Sequence, residues 1–286
     1  MRALFEKVTP PAQESFFCKE FLCPRFESPW HFHPECELTL IVESSGRRFV
    51  GDHIATFQEG DLVLLGPDLP HFWYSEPATD QRAHSVVTLF RLDFLGAEFL
   101  GKAELGPIRR LLAKAARGLQ ITGLTQKKLL APIRKLPRLS GMPRLLGLLS
   151  VLDALARAPG RDLQPLSSAG FIPLLDPLDE PRMNRVLGYI NREFGACHLN
   201  QPEAARLANL TPAAFSRFFK RKTGKSFSTF VNEVRVGHAC KLLLESELNS
   251  TEICFASGFG NVSNFNRRFR KLKETTPSEY RREWRR

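Results

Sequence analysis

Phe215-Ser216-Arg217-Phe218-Phe219-Lys220-Arg221-Lys222 and Phe265-Asn266-Arg267-Arg268-Phe269-Arg270-Lys271-Leu272 are two copies of one pattern. At an offset of 50, Phe215 matches Phe265, Arg217 matches Arg267, Phe219 matches Phe269 and Lys220 matches Arg270. The register continues to Ser226 with Thr276 and to Phe230 with Tyr280. Aromatics four residues apart share one face of a helix, and the basic residues between them fall on other faces. The repeat therefore predicts two equivalent helices, each with an apolar face and a cationic one.

The charge follows the repeat. Residues 182–286 hold 20 Lys+Arg against 9 Asp+Glu, and residues 1–181 hold 21 of each. All of the net +11 lies in the last third, which points to a polyanionic partner for that segment alone. The six cysteines (Cys18, Cys23, Cys36, Cys197, Cys240, Cys254) form no CxxC pair. They read as buried thiols in a reducing compartment, with no disulfide frame or zinc site. The chain starts without a secretory pattern, and the leucine-rich stretch at Leu145–Leu155 is too short to span a bilayer. A cytoplasmic protein is expected.

With 286 residues the chain can fold as two domains. From about residue 14 to 95, short apolar runs (Leu38–Val42, Phe49–Val50, Leu62–Leu65, Val86–Phe90) alternate with turn residues, which predicts a β sandwich or barrel. Pro107–Leu119 and Pro143–Arg157 are amphipathic helical patterns that pack either on the strands or between subunits. Residues 158–181 contain five prolines and form the expected linker. The expected organisation is residues 1–98 as a strand-rich domain, 99–157 as a helical extension, 158–181 as a linker and 182–286 as a basic helical domain.

Within the last segment Asn200 is a candidate cap for a short helix, and Thr211-Pro212 opens a longer one that Gly224 stops. A short helix, a tight turn and a second helix make a helix-turn-helix. The second copy runs from Ser250-Thr251-Glu252 through the turn Gly258-Phe259-Gly260 to a helix capped by Asn261. Phe227–Glu245 joins the two units and would hold the two reading helices in successive major grooves, about 34 Å apart. Helical phase turns Phe215, Phe218, Phe219, Phe265 and Phe269 inward. It turns Ala213, Ser216, Arg217, Lys220, Ser263, Asn264, Asn266, Arg267 and Arg270 outward. Arg suits guanine and Asn suits adenine. Lys220, Lys225, Arg268, Arg270 and Lys271 suit phosphate.

Residues 183–286 resemble the DNA-binding domain of the AraC/XylS family of bacterial transcription regulators. The resemblance rests on Lys241-Leu242-Leu243, Ser257-Gly258-Phe259, Ser263-Asn264-Phe265-Asn266-Arg267-Arg268-Phe269-Arg270 and Thr276-Pro277-Ser278-Glu279-Tyr280-Arg281. It implies seven helices with two helix-turn-helix units, and base contacts from Ala213, Ser216, Arg217, Ser263, Asn264 and Arg267. The methyl group of Ala213 leaves the first helix fewer direct base contacts.

In the first third, His31-Phe32-His33-Pro34-Glu35-Cys36-Glu37 and Gly60-Asp61 through His71-Phe72-Trp73 resemble the two motifs of the cupin barrel. That resemblance implies a sensor barrel. In metal-binding cupins the positions matching His31, His33, Glu37 and His71 hold a divalent metal. The role expected here is support of the barrel or lining of an effector pocket, together with Trp73, with no cofactor and no catalysis. The fold class is thus α+β multidomain: an N-terminal cupin-like β-barrel with a helical extension and a C-terminal all-α double helix-turn-helix domain. The expected function is sequence-specific transcription regulation, not enzymatic, with a small-molecule effector, a carbohydrate being one candidate. Expected partners are double-stranded promoter DNA, the effector and a second copy of the chain. RNA polymerase is a further candidate, and no membrane is involved. The alternatives are a metal-dependent cupin enzyme with a DNA-binding appendage, and a ligand-independent DNA binder whose cupin only dimerises.

Overall fold

The computed structural model describes residues 14–27, 29–75, 82–171, 179–196 and 198–284. Cys197 and the linker prolines Pro173 and Pro177 lie outside the described residues. Two compact units emerge, one built mainly from residues 4–53 and 57–175, the other mainly from 176–286.

In the first unit β1 (Phe17–Cys23), β7 (Ala83–Phe90), β2 (Cys36–Glu43), β5 (Leu62–Leu65), β8 (Leu119–Ile121) and β9 (Leu163–Pro165) pair, in that spatial order, into an antiparallel sheet. A second sheet has the order β4 (His53–Phe57), β3 (Gly46–Val50), β6 (His71–Ser75). Strand β2 shows why its sequence is apolar almost throughout. Successive side chains point to opposite faces. Cys36, Leu38 and Leu40 join a core with helices α1 (Gly106–Ala115), α2 (Gly123–Lys135) and α3 (Gly141–Ala156). Ile41 joins a different core with Val50 of β3 and Trp73 of β6. Both faces are covered, so the strand reads as a continuous run. Glu37 and Thr39 share the Ile41 face, which places a carboxylate inside.

The edges of the larger sheet are β1 and β9, and those of the smaller are β4 and β6. Among the described residues no ladder joins an edge of one sheet to an edge of the other, so the unit is two sheets rather than the expected closed barrel. The two amphipathic patterns are helices α1 and α3, and they pack on the larger sheet through Leu111, Leu112, Leu148, Leu152 and Leu155. Two features of this region were not expected. Residues 119–121 turn back as β8, and residues 163–165, inside the stretch expected to be a linker, form β9 beside it. Leu166 and Ser167 are buried as well.

The second unit consists, among the described residues, of seven helices: α4 (Glu180–Glu193), α5 (Gln201–Leu207), α6 (Pro212–Thr223), α7 (Phe227–Glu245), α8 (Ser250–Ala256), α9 (Val262–Lys273) and α10 (Pro277–Trp284). Side-chain caps fall where the sequence placed them. Asn200, Thr211 and Asn261 each accept a hydrogen bond from a backbone N–H of the first turn. Asn249 caps α8 with a full capping box through Glu252. Helix α6 ends at Gly224, in the left-handed conformation with φ 70°.

Candidate nucleic-acid interface and a buried histidine cluster

The repeat is realised as two copies of one packing unit. Phe215, Phe219, Phe265 and Phe269 are buried with no measurable exposure. The ring of Phe219 meets Phe230 at 5.2 Å, edge to face, and the ring of Phe269 meets Tyr280 at 5.7 Å in the same manner. These are the aromatic pairs that the offset of 50 equates. Before each turn the offset is 49: Asn200 matches Asn249, Glu203 matches Glu252, and Ala205 matches Cys254. The turn contacts Leu210 N–Ala205 O (3.0 Å) and Phe259 N–Cys254 O (3.1 Å) are equivalent in that register. The second turn is one residue longer, and the matching Asn-x-x-Glu pairs already carried this signal.

Burial of the aromatics turns the polar faces outward. Ala213, Ser216, Arg217 and Lys220 of α6 are exposed, as are Ser263, Asn266, Arg267 and Arg270 of α9, while Asn264 is half-buried. Arg267 donates to Asn264 Oδ1 at 3.0 Å, so the two side chains present one joined surface. Ser216 donates to the Pro212 carbonyl (2.9 Å) and accepts from Gln201 Nε2 (2.8 Å). Gln201, from the preceding helix, therefore belongs to the surface of α6. The phase of a single helix gave no sign of it.

The two repeat-related helices differ in how their cations are held. At the end of α6, Lys222 lies 3.0 Å and Arg221 3.6 Å from the buried carboxylate of Asp179. Lys225, expected at phosphate, lies 2.6 Å from Glu233. On α9, Arg267, Arg270 and Lys271 line an open groove with Ser250, Asn266 and Ser278. Arg268, also expected at phosphate, is half-buried. The cationic surface is thus weighted toward the second copy.

Residues 204–283 match a family described as a helix-turn-helix domain. The chain is 36% identical over 84 residues to the HTH-type transcriptional regulator GlxA of Rhizobium meliloti, covering 29% of this chain and 26% of that protein. It is 32% identical over 96 residues to the uncharacterized HTH-type transcriptional regulator YijO of Escherichia coli, covering 34% of each. Residues 204–283 form an AraC-type helix-turn-helix domain. A solved structure, the C-terminal domain of the response regulator AraT from Geobacillus stearothermophilus, is 30% identical, covers 37% of this chain and 87% of that one, and has a TM-score of 0.35. The matches span about a quarter to a third of the length of these curated relatives. They support DNA-binding transcription regulation as the role of the helix-turn-helix domain.

In the sheet-rich unit His31, His33, Glu37 and His71 converge, all buried, each offering one ligand atom within 4.8 Å of the others. Two local features build the cluster. Backbone hydrogen bonds tie His31 to His71 (3.2 and 2.9 Å), and β2 carries Glu37 into the interior. Every imidazole is oriented from its outer nitrogen. The Nδ1 atoms lie 2.7 Å from Pro29 O for His31, 3.2 Å from Glu35 O for His33 and 2.7 Å from Leu69 O for His71. A carbonyl only accepts, so each Nδ1 carries the proton and, in the neutral ring, Nε2 keeps its lone pair. The inner nitrogens of His33 and His71 lie 3.0 and 3.2 Å from Glu37 Oε2. Thr39 donates to the other carboxylate oxygen at 2.5 Å. Neutral lone pairs facing a carboxylate repel, so the centre of the cluster calls for a proton or a cation.

The titration directions show the same tension. Burial, joined by the charge of His71, pushes His31 down to about 3. Burial pulls His33 down, but its hydrogen bond to Glu37 and the charges of Glu37 and Glu35 together raise it. Burial pulls Glu37 upward, yet the imidazoles of His71 and His33 hold it well below the usual carboxylate range. His71 Nε2 meets Glu37 without hydrogen-bonding geometry and is an orphaned buried polar atom. These residues fit a divalent cation, with three imidazole nitrogens and one carboxylate oxygen as first ligands. The indole of Trp73, 5.6 Å from the His71 ring, is packed in the core. Its Nε1 has no hydrogen-bond partner among the described residues.

Proposed function

We propose that this protein reads specific double-stranded promoter DNA with α6 and α9, and that its sheet-rich unit senses a small molecule. The observation that carries the reading is the pair of repeat-related helices. Each buries its aromatics and offers Ser and Arg side chains to solvent, to which α9 adds Asn266. In this reading Ala213, Ser216, Arg217, Ser263, Asn264, Asn266 and Arg267 face bases, while Lys220 and Arg270 face phosphate. The organisation is a cupin-like sensor over 1–98, a helical extension over 99–157 that also serves a homodimer, a connecting segment over 158–181 and a reader over 182–286. RNA polymerase and a cytoplasmic setting complete the picture. Effector control requires that the effector bind two states of the protein with different affinity.

The test is to map where the purified full chain binds across its own genome's DNA fragments at near-physiological salt. Discrete sites upstream of a few operons support the regulator. Uniform binding that disappears with salt would reduce the basic unit to an anchor. The convergence of three imidazoles on Glu37 favours one second reading, a metal-dependent cupin enzyme carrying a DNA-binding unit. Purified protein without stoichiometric metal would remove it.

A further inference from the structure

The sheet-rich unit contains a second concavity, which shares no residue with the histidine cluster. Its volume is about 410 Å³. Leu111 of α1, Leu119 of β8 and Leu163 of β9 supply an apolar floor, and Arg110, Lys114 and Arg117 stand around it. The sequence explains the combination. Arg110, Leu111 and Lys114 are spaced i, i+1, i+4, so two cations flank the edge of an apolar stripe on α1. Arg117 follows the helix, and its Nε donates to Ser167 O at 2.8 Å, which holds the guanidinium in place. No aspartate or glutamate lines the concavity. No carboxylate among the described residues makes an ion pair with any of the three cations. Lys114 in the last turn also offsets the helix dipole. Charge alone is therefore not the argument. The argument is three cations of one sign around an apolar hollow whose size matches small-molecule sites.

We propose that this concavity binds an amphiphilic anion, a single carboxylate on an apolar body. The apolar body rests on Leu111, Leu119 and Leu163, and the carboxylate meets Arg110, Lys114 and Arg117. The site is independent of what the helical unit reads, so it stands or falls separately from the DNA-binding function.

The test is calorimetric titration of the full chain with octanoate below its aggregation range, alongside 1-octanol and octyltrimethylammonium. Expected are saturable binding of one octanoate per chain, at least about tenfold weaker binding of the alcohol and none of the cation. Shortening the probe to hexanoate should weaken binding by up to about fourfold per methylene removed. Arg110→Glu and Lys114→Glu, both at exposed positions, should each weaken octanoate binding about tenfold, with unchanged thermal unfolding of the free protein. Ala158→Trp should block the hollow, and His33→Ala should leave octanoate affinity unaltered. Absence of saturable binding, equal affinity for octanol, or indifference to both charge reversals overturns the proposal. Loss of binding in His33→Ala would move the ligand to the histidine cluster and overturn it too. Capture by phosphatidylglycerol vesicles without binding of free octanoate would assign the cations to a lipid surface, with the same consequence.

Discussion

Arg217 and Arg267 occupy equivalent positions in the two copies, and Arg267 is braced by Asn264 at 3.0 Å. Replacing either with alanine should cost about 1–3 kcal/mol at a specific site and relax base preference there. Lys220→Ala should instead weaken binding to all sequences and lower the slope of log affinity against log salt by about 0.9. Quantitative binding to a selected site and to random DNA separates these outcomes, and equal losses for all three variants would refute the assigned roles. At the histidine cluster, protein purified with zinc should retain the metal stoichiometrically. His71→Ala and Glu37→Gln should each reduce metal affinity by more than the roughly 10–100-fold typical of second-sphere changes. Metal content by mass spectrometry decides this without any activity assay. Helical phase made the outward face of α6 legible in sequence, but not the Gln201–Ser216 contact. That contact depends on where a neighbouring helix comes to rest.

At the scale of elements, the two copies end α6 and α9 differently. Helix α6 stops at Gly224 (φ 70°), and α9 stops at Glu274 in the same left-handed region (φ 58°). A side chain there is strained by roughly 1 kcal/mol, a strain that glycine avoids. Glu274→Gly should therefore stabilise the helical unit by up to about 1 kcal/mol, and Gly224→Ala should destabilise it by a similar amount. Denaturant unfolding of the two variants checks both signs. Helix α10 opens with a reciprocal pair: Thr276 N donates to Glu279 Oε2 at 2.9 Å, and Glu279 N donates to Thr276 Oγ1 at 3.2 Å. The backbone hydrogen bond from Thr276 holds the Glu279 carboxyl down at about 2, below its ordinary 4.5. A depressed carboxylate stabilises the fold above its unfolded value and loses that contribution as pH falls through its folded value. The stability gap between the parent and Glu279→Gln should be constant above about pH 4.5 and close as pH falls toward 2. A gap that persists unchanged at the acid end would show that the charge contributes nothing. Thr-x-x-Glu ahead of an apolar residue is a signal that sequence alone carries. The strand β8 is not, because three residues between two helices take an extended form only when β5 offers them a ladder.

For the whole molecule the charge asymmetry has a measurable consequence. Residues 1–181 are neutral overall and residues 182–286 carry +11, so the salt dependence of DNA binding should come from the helical unit. The double variant Arg270→Ala/Lys271→Ala should reduce the salt slope by about 1.8, since each phosphate contact contributes about 0.9. Arg134→Ala/Arg157→Ala, on the exposed surface of the sheet-rich unit, should leave it unchanged. Slopes measured on one DNA fragment over a range of salt distinguish the two. No helix among the described residues is long and apolar enough to cross a membrane.

The order and type of α4 to α9, and the caps at Asn200, Thr211 and Asn261, were legible from the chain itself, because each rests on signals within one or two turns: aromatics four apart, or Asn or Thr before a helix. So was the division of α6 and α9 into a buried and an exposed face. Tertiary structure decided what depends on distant segments meeting. Strand β2 serves two cores because helices cover one face and a second sheet the other, and among the described residues no edge ladder joins the two sheets. Lys222 of α6 lies beside Asp179, which precedes α4, and Lys225, between α6 and α7, lies beside Glu233 of α7. The histidines at 31, 33 and 71 become one site with Glu37 only when strand pairing brings residues forty apart within hydrogen-bonding distance. Periodicity is a local property of sequence, whereas a site is defined by distances between segments that only packing sets.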